Sequence, residues 1–343
     1  MFTTILATLF VFGILVSVHE FGHFAAAKLS GMKVLEFAVG FGPGLYKKQK
    51  GETLYSLRSI PLGGYTKIAG MDPDDPQDPR NFDRQSLLKR LIVIVAGSFM
   101  NLMLPIALFF LVIFFAGVQK PVDLPVFGAI MDGYPAALAG LEPGDEALSV
   151  NGEKIATWSQ LVDAVKTKGG QSVRLLIRRG GAEFPVDITP RYDEKSKRAL
   201  IGVSAQTKTY RPGLWEALET AFVQTYTLAL EMLKGFYSLL SGRQQADLAG
   251  PLGVARMAGE VAQYGFLPLL NFTAFLSINL GIINLFPVPV LDGGHVATLL
   301  AEAAMGRPLS LKMARRVQYV GLALLFFLLI FSTLQDIGRL NLF

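Results

Sequence analysis

Four stretches of this 343-residue chain, at about residues 5–29, 91–117, 267–285 and 317–334, are almost wholly apolar. Each approaches the ~20 residues that a helix needs to cross a ~30 Å hydrocarbon layer. A segment in such a layer must satisfy its own backbone N–H and C=O groups, which points to helices here. With 51% hydrophobic and 17% charged residues, the composition is that of a polytopic α-helical membrane protein with about four spans. No basic residues precede the first run, so it reads as a retained anchor rather than a signal peptide. Cysteine is absent, which removes disulfides from the account.

Lys and Arg in short loops mark the cytoplasmic side of a bilayer. Eleven fall between Lys28 and Arg90, four more are Arg307, Lys312, Arg315 and Arg316, and none precedes the first span. Those two loops are therefore expected in the cytoplasm, with both termini and about residues 120–265 on the other face of a bacterial cytoplasmic (inner) membrane. The net charge of +5 suits anionic headgroups, and no basic-aromatic pattern suggests nucleic acid. The expected division is residues 1–120 (two spans and a cytoplasmic β-hairpin region), 121–210 (a soluble α/β domain), 211–264 (a connector) and 265–343 (two spans).

Within 121–210, short β-like runs flank a Gly144-Asp145 turn, an Asn151-Gly152 hairpin signal and a helical stretch from Trp158 to Lys166. This pattern resembles a bacterial PDZ domain. By that resemblance Val126, Phe127, Gly128, Ala129 and Ile130 form the strand that takes up a peptide by β-addition. The alternative is a small α/β module with no ligand. Residues 214–240 separate a polar stripe (Glu216, Glu219, Thr220, Thr227, Glu231, Lys234) from bulky apolar residues, which predicts an interfacial helix rather than a fifth span.

Two of only three histidines, His19 and His23, form His19-Glu20-Phe21-Gly22-His23 inside the first apolar run. On a helix, positions i and i+4 share a face, so both imidazoles can hold one zinc ion, with Glu20 placed as general base. Ionisable groups inside a span are costly and usually functional. A catalytic zinc site wants a third protein donor. Asp292 qualifies, because Pro287 and Pro289 break the helix before it and Gly293-Gly294 permit a tight turn after it. Its alternative role is to cap the helix that follows. Residues 34–48 and 53–67, with Gly40, Gly42, Gly63 and Gly64, read as two hairpins. The edge of such a sheet could hold an unwound substrate strand, or the sheet could simply pack on lipid. Residues 71–81, acidic and proline-rich, read as a solvated linker.

Taken together, HEFGH in the first span, NLFPVPVLDGGH after the third, the PDZ-like insert and the glycine-rich cytoplasmic hairpins resemble the site-2 protease family of intramembrane zinc metalloproteases, within it the bacterial RseP type (regulator of sigma-E protease). The resemblance implies one zinc ion per chain on His19, His23 and Asp292, with Glu20 as the catalytic residue. It also implies Asn284 on the substrate backbone, and substrate held along the hairpin region that contains Gly40, Gly42, Gly63 and Gly64. It implies cleavage within transmembrane segments of single-span proteins already shortened outside, such as an anti-sigma factor or a remnant signal peptide. Two features depart from the family: Ser98 stands where the Ala-Gly-Pro-x-x-Asn pattern has proline, and one PDZ domain fits where the best-known RseP-type members have two. His295 is expected in a supporting or interfacial role. A non-catalytic membrane PDZ scaffold and a metal transporter are the rival readings, against which stand the intact HExxH motif and the lack of internal repeats.

Overall fold

The computed structural model describes residues 1–72, 75, 77–194, 197–243, 250–307 and 310–339. In chain order its elements are α1 (Phe2–Leu29), β1 (Val34–Lys50), β2 (Thr53–Ile68), α2 (Leu87–Ala116), β3 (Val118–Pro121), β4 (Phe127–Ile130), α3 (Pro135–Leu138), β5 (Glu146–Val150), β6 (Glu153–Lys154), α4 (Trp158–Val165), β7 (Val173–Arg179) and β8 (Ala182–Ile188). There follow β9 (Arg191–Asp193), β10 (Arg198–Leu200), β11 (Val203–Ala205), β12 (Thr207–Tyr210), α5 (Leu214–Leu240), α6 (Pro251–Gln263), α7 (Phe266–Asn284), α8 (Asp292–Met305) and α9 (Leu311–Arg339). Two compact units result, Met1–Ala116 with Gly213–Phe343, and Gly117–Pro212.

Among the described residues of the first unit, four helices are long and apolar enough to cross a membrane: Phe2–Leu29, Leu87–Ala116, Phe266–Asn284 and Arg315–Gly338. Helices in lipid gain little from burying apolar surface, so close packing depends on small residues. A Cβ on Gly22 of α1 would lie 2.3 Å from the Ala96 carbonyl oxygen of α2, and one on Gly281 of α7 would lie 3.1 Å from the Ser98 carbonyl oxygen. These glycines draw α1 and α7 against α2. Pro105 sits inside α2 and offers no N–H to the carbonyl of Asn101 four residues earlier. Ser277 Oγ of α7 donates to that freed carbonyl at 2.7 Å, so the break in the ladder becomes a bond between helices. Along α5, Ala217, Ala221 and Thr225 are buried whereas Trp215, Phe222, Tyr226 and Leu233 are exposed. The helix packs on α2 and α7, and its Phe236 ring meets Phe286 edge to face.

The expected pair of hairpins is instead one long antiparallel pair, β1 with β2, whose register shifts repeatedly. Ala38 is opposite both Tyr65 and Ser56, so residues 34–39 of β1 lie between residues 64–68 and 54–57 of β2, while residues 44–50 pair with 53–58. Gly40 and Gly42 permit the bend, with φ of 90° and 79° that other residues rarely adopt. The segment expected as a solvated linker is exposed at most of its described residues, and it is tied back to the strand end at a few points, with Asp75 and Asn81 buried. Lys33 N donates to Arg80 O at 3.2 Å, Phe82 N to Ala69 O at 2.7 Å, and buried Asp75 accepts from Gly70 N at 2.9 Å. Asp75 thus folds the strand end back on itself, while Asp72, Gln77, Pro79 and Arg80 face water. The Arg80 amide, then the Arg80 guanidinium and Lys33, hold the Asp78 carboxyl down at about 2. Of the linker expectation, Pro73, Asp74 and Pro76 lie outside the described residues.

The second unit is built on the four-stranded sheet β6-β5-β7-β8. In β7, Val173, Leu175 and Ile177 are fully buried and the residues between them are not, the alternation of a strand with one face in a core. Each such side chain contributes about 1.5–3 kcal/mol on burial. Helix α4 opens on a capping box, in which Thr157 and Gln160 satisfy each other's backbone N–H. Arg179 pairs with buried Asp145 at 2.7 Å and with Glu142 at 2.8 Å.

Candidate metal centre

His19 and His23 come from the second half of α1, and Asp292 is the first residue of α8. The α1 periodicity stacks the two rings, whose centroids are 4.7 Å apart and nearly perpendicular. Their Nε2 atoms lie 3.1 Å from each other. Asp292 Oδ2 is 3.5 Å from His19 Nε2, and Oδ1 is 3.5 Å from His23 Nε2. One donor atom from each of the three residues thus lies within 4.8 Å of the others.

Asp292 reaches this point because α7 stops at Asn284 and α8 restarts after a non-helical link that runs close beneath it. A Cβ on Gly293 would stand 2.3 Å from the carbonyl oxygens of Leu285 and Phe286, and one on Gly294 2.3 Å from that of Val288. Both positions demand glycine. The alternative of Asp292 as a simple cap does not describe its side chain, since the N-cap is Leu291 and the carboxylate faces the two histidines and Ser98.

Sequence reasoning missed the contribution of α2. His23 Nδ1 meets the Val93 carbonyl oxygen at 2.8 Å, Ser98 Oγ donates to Asp292 Oδ2 at 2.8 Å, and the Asn101 side-chain amide nitrogen is 3.3 Å from His19 Nδ1. A Cβ on Gly97 would fall 2.3 Å from His23 Nε2 and 2.8 Å from His19 Cε1. The glycine therefore leaves room beside the donor atoms. Two imidazoles and a carboxylate, with space on one side, match the donor set of an open zinc site. The only available signal was the Ala96-Gly97-Ser98-x-x-Asn101 pattern, which carries no spacing rule of its own.

Glu20 follows His19 on α1. Its main-chain oxygen accepts from Thr66 Oγ1 at 2.9 Å, and its Cγ lies 3.4 Å from the position of a Gly64 Cβ, so residues 64–68 of β2 run beside it. Gly63 accommodates the Phe41 ring, which a Cβ would strike at 1.9 Å. Gly40 passes close to the Ile60 carbonyl oxygen, at 2.8 Å from its would-be Cβ. Gly40, Gly42, Gly63 and Gly64 thus shape the sheet, Gly64 by passing 2.6 Å (from its would-be Cβ) from the Ala38 carbonyl oxygen while also lying beside Glu20. Asn284 closes α7 and is half-buried. His295 is exposed and lines a cavity of about 550 Å³ together with Asp72, Asp75, Val290 and Arg315, so it stands outside the three-donor group.

In the second unit, the strand expected to take up a peptide is engaged along both edges. Phe127 N donates to Asp145 O and Phe127 O accepts from Gly144 N, both at 2.8 Å, while Val126 O accepts from Gln206 N at 3.0 Å and β4 pairs with β11. Phe127 is buried. The groove of this unit, about 290 Å³, lies instead between α4 and β11, lined by Trp158, Leu161, Val165, Ile201, Val203 and Ala205. The difference arises because a later strand, distant in sequence, occupies the edge that Val126–Ile130 would have offered.

The model of peptidase family M50 matches residues 7–328. The chain is 34% identical to a Clostridium acetobutylicum relative across 98% of each chain. It is 30% identical to zinc metalloprotease RasP of Geobacillus kaustophilus across 98% of each. It is 28% identical to regulator of sigma-W protease RasP of Bacillus subtilis, across 98% of this chain and 99% of that one.

Proposed function

The chain belongs to peptidase family M50, the site-2 proteases, and from that premise we propose that His19, His23 and Asp292 hold the zinc of this membrane metalloprotease, with Glu20 as its general base. The observation that carries the reading is the convergence of His19 Nε2, His23 Nε2 and the Asp292 carboxylate within 4.8 Å, from two separate helices. When bound, zinc supplies Lewis acidity and lowers the pKa of water towards ~7. Glu20 takes up a proton from the attacking water and returns it to the leaving amine. Asn284, at the break after α7, hydrogen-bonds the substrate backbone near the cut.

A peptide bond within a helix is shielded by its own backbone bonds and must be unwound before attack. The run of residues 64–68 beside Glu20 supports a role as the edge on which the opened substrate pairs as an added strand. The substrates are single-span membrane proteins shortened beforehand on their extracytoplasmic side. The Bacillus subtilis relative's name, a regulator of sigma-W, favours an anti-sigma factor among them, with remnant signal peptides as the second class. The basic loops support an orientation with both termini and the Gly117–Pro212 unit outside the cytoplasm of a bacterial inner membrane. In that unit, the groove between α4 and β11 is the surface for a peptide end.

Metal analysis of the purified chain tests the assignment. One zinc per chain is expected in the native protein and in Glu20→Gln, and far less than one in His19→Ala, His23→Ala and Asp292→Ala. Full zinc occupancy in all three donor variants would overturn it.

A further inference from the structure

The donors of the metal centre are met by one short stretch of α2. Within nine residues it meets one atom of each: the Val93 carbonyl on His23 Nδ1, Ser98 Oγ on Asp292 Oδ2, and the Asn101 amide on His19 Nδ1. Ser98 and Asn101 are fully buried. Resting on the zinc assignment above, we propose that Ser98 and Asn101 are positioning residues that fix the carboxylate and imidazole orientations of Asp292 and His19 and thereby set the zinc affinity of this chain.

For His19, the tautomer decides. A metal on Nε2 uses the lone pair there, so the ring proton must sit on Nδ1 and needs an acceptor. Among the described residues Asn101 Oδ1 is buried without a hydrogen-bond partner, on the same amide whose nitrogen stands 3.3 Å from Nδ1. The two ends of an amide have nearly the same shape, and a half-turn about its last bond presents Oδ1 to the Nδ1–H. The Asn101 backbone is held in place for this, because Ser277 occupies the carbonyl that Pro105 leaves free. His23 needs no such side chain. Its Nδ1 already faces a carbonyl, which can only accept.

For Asp292, the question is rotation. Its two oxygens are equivalent until something distinguishes them, and each is 3.5 Å from one histidine Nε2. The Ser98 hydroxyl, at 2.8 Å from Oδ2, removes that freedom and holds one orientation of the carboxylate towards the centre. Alanine there would leave the carboxylate free to turn, and proline would offer neither hydroxyl nor N–H.

Partners of this kind typically alter metal affinity by about 10–100-fold when removed. Zinc affinity of the full-length detergent-solubilised protein, measured by competition with a chromophoric chelator, tests the proposal. Ser98→Ala and Asn101→Leu should each weaken zinc by about 10–100-fold. Ser98→Thr, which keeps the hydroxyl, and Asn101→Asp, which keeps an acceptor for Nδ1–H, should return affinity to within about threefold of native. The visible spectrum of the cobalt-substituted protein should shift in Ser98→Ala and be restored in Ser98→Thr. Native affinity in both Ser98→Ala and Asn101→Leu would overturn the proposal, as would equal losses in the conservative and non-conservative variants. His19→Ala, measured alongside, separates the two levels: native affinity there would refute the zinc assignment itself, whereas its loss leaves Ser98 and Asn101 to be judged by their own variants.

Discussion

Replacing Gly97 by alanine adds one methyl group to the closest approach between α2 and the metal donors. That methyl would stand 2.3 Å from His23 Nε2, 2.6 Å from His23 Cε1 and 2.8 Å from His19 Cε1. Non-bonded heavy atoms rest at about 3.5 Å, so the His23 ring must retreat by about 1 Å or α2 must do so. Neither movement is free. The ring is tied to the Val93 carbonyl at 2.8 Å, and α2 is pressed on α1 through Gly22, whose own Cβ would strike Ala96. Zinc–nitrogen bonds tolerate only about 0.2 Å of error, so a displacement of that size removes one donor in effect. The expected result is a loss of zinc affinity of about 100-fold or more, or about 2.8 kcal/mol at about 1.4 kcal/mol per tenfold change. Chelator competition on the purified variant measures it, with a thermal melt of the metal-free protein to show that α1 and α2 still pack. A folded Gly97→Ala protein that binds zinc within threefold of native would refute the reasoning.

Ser277→Ala should destabilise the helical unit by about 1–3 kcal/mol, because the Asn101 carbonyl freed by Pro105 is then buried unpaired, and denaturant titration in detergent reads it. Gly64→Val should reduce cleavage while zinc content stays native, since a Cβ there would strike the Ala38 carbonyl oxygen at 2.6 Å and push the β2 edge away from β1 beside Glu20 without touching the donors; loss of zinc in this variant would contradict that separation. Burial alone would raise the Asp145 carboxyl, yet the Arg179 guanidinium and the Glu142 N–H hold it below its ordinary value. Its folded pKa is therefore depressed, so its stabilising contribution is fully present above the unfolded value near 3.9 and is lost as pH falls through the folded one. Arg179→Gln should abolish that part of the acid dependence, measured as hydrogen-exchange protection of residues 117–212 against pH.

Periodicity made the helical part of the centre legible. Two histidines four apart in an apolar run can only share a face, and a proline-broken segment carrying Asp-Gly-Gly advertises a carboxylate at a helix restart. What sequence could not disclose is held by tertiary packing. Ser98 and Asp292 are 194 residues apart, and Asn101 and His19 are 82 apart, with no local pattern to link them. The packing face of α5 escaped for another reason. Hydropathy sorts polar from bulky residues, whereas Ala217, Ala221 and Thr225 pack by being small. In the β1–β2 pair, glycines announced bends but not that one bent strand would flank another twice. The groove of the second unit depends on β11 reaching back to β4, a pairing across more than seventy residues that alternation within Val126–Ile130 could not reveal.

The most direct test of the central claim is cleavage of a tagged, pre-shortened single-span protein in membranes by the native chain and by Glu20→Gln, with zinc measured in both. A product is expected from the native enzyme alone, cut within the span and abolished by chelation, with equal zinc in the two proteins. A Glu20→Gln protein that yields the same product at the native rate would contradict the assignment of Glu20 as the general base of a zinc protease.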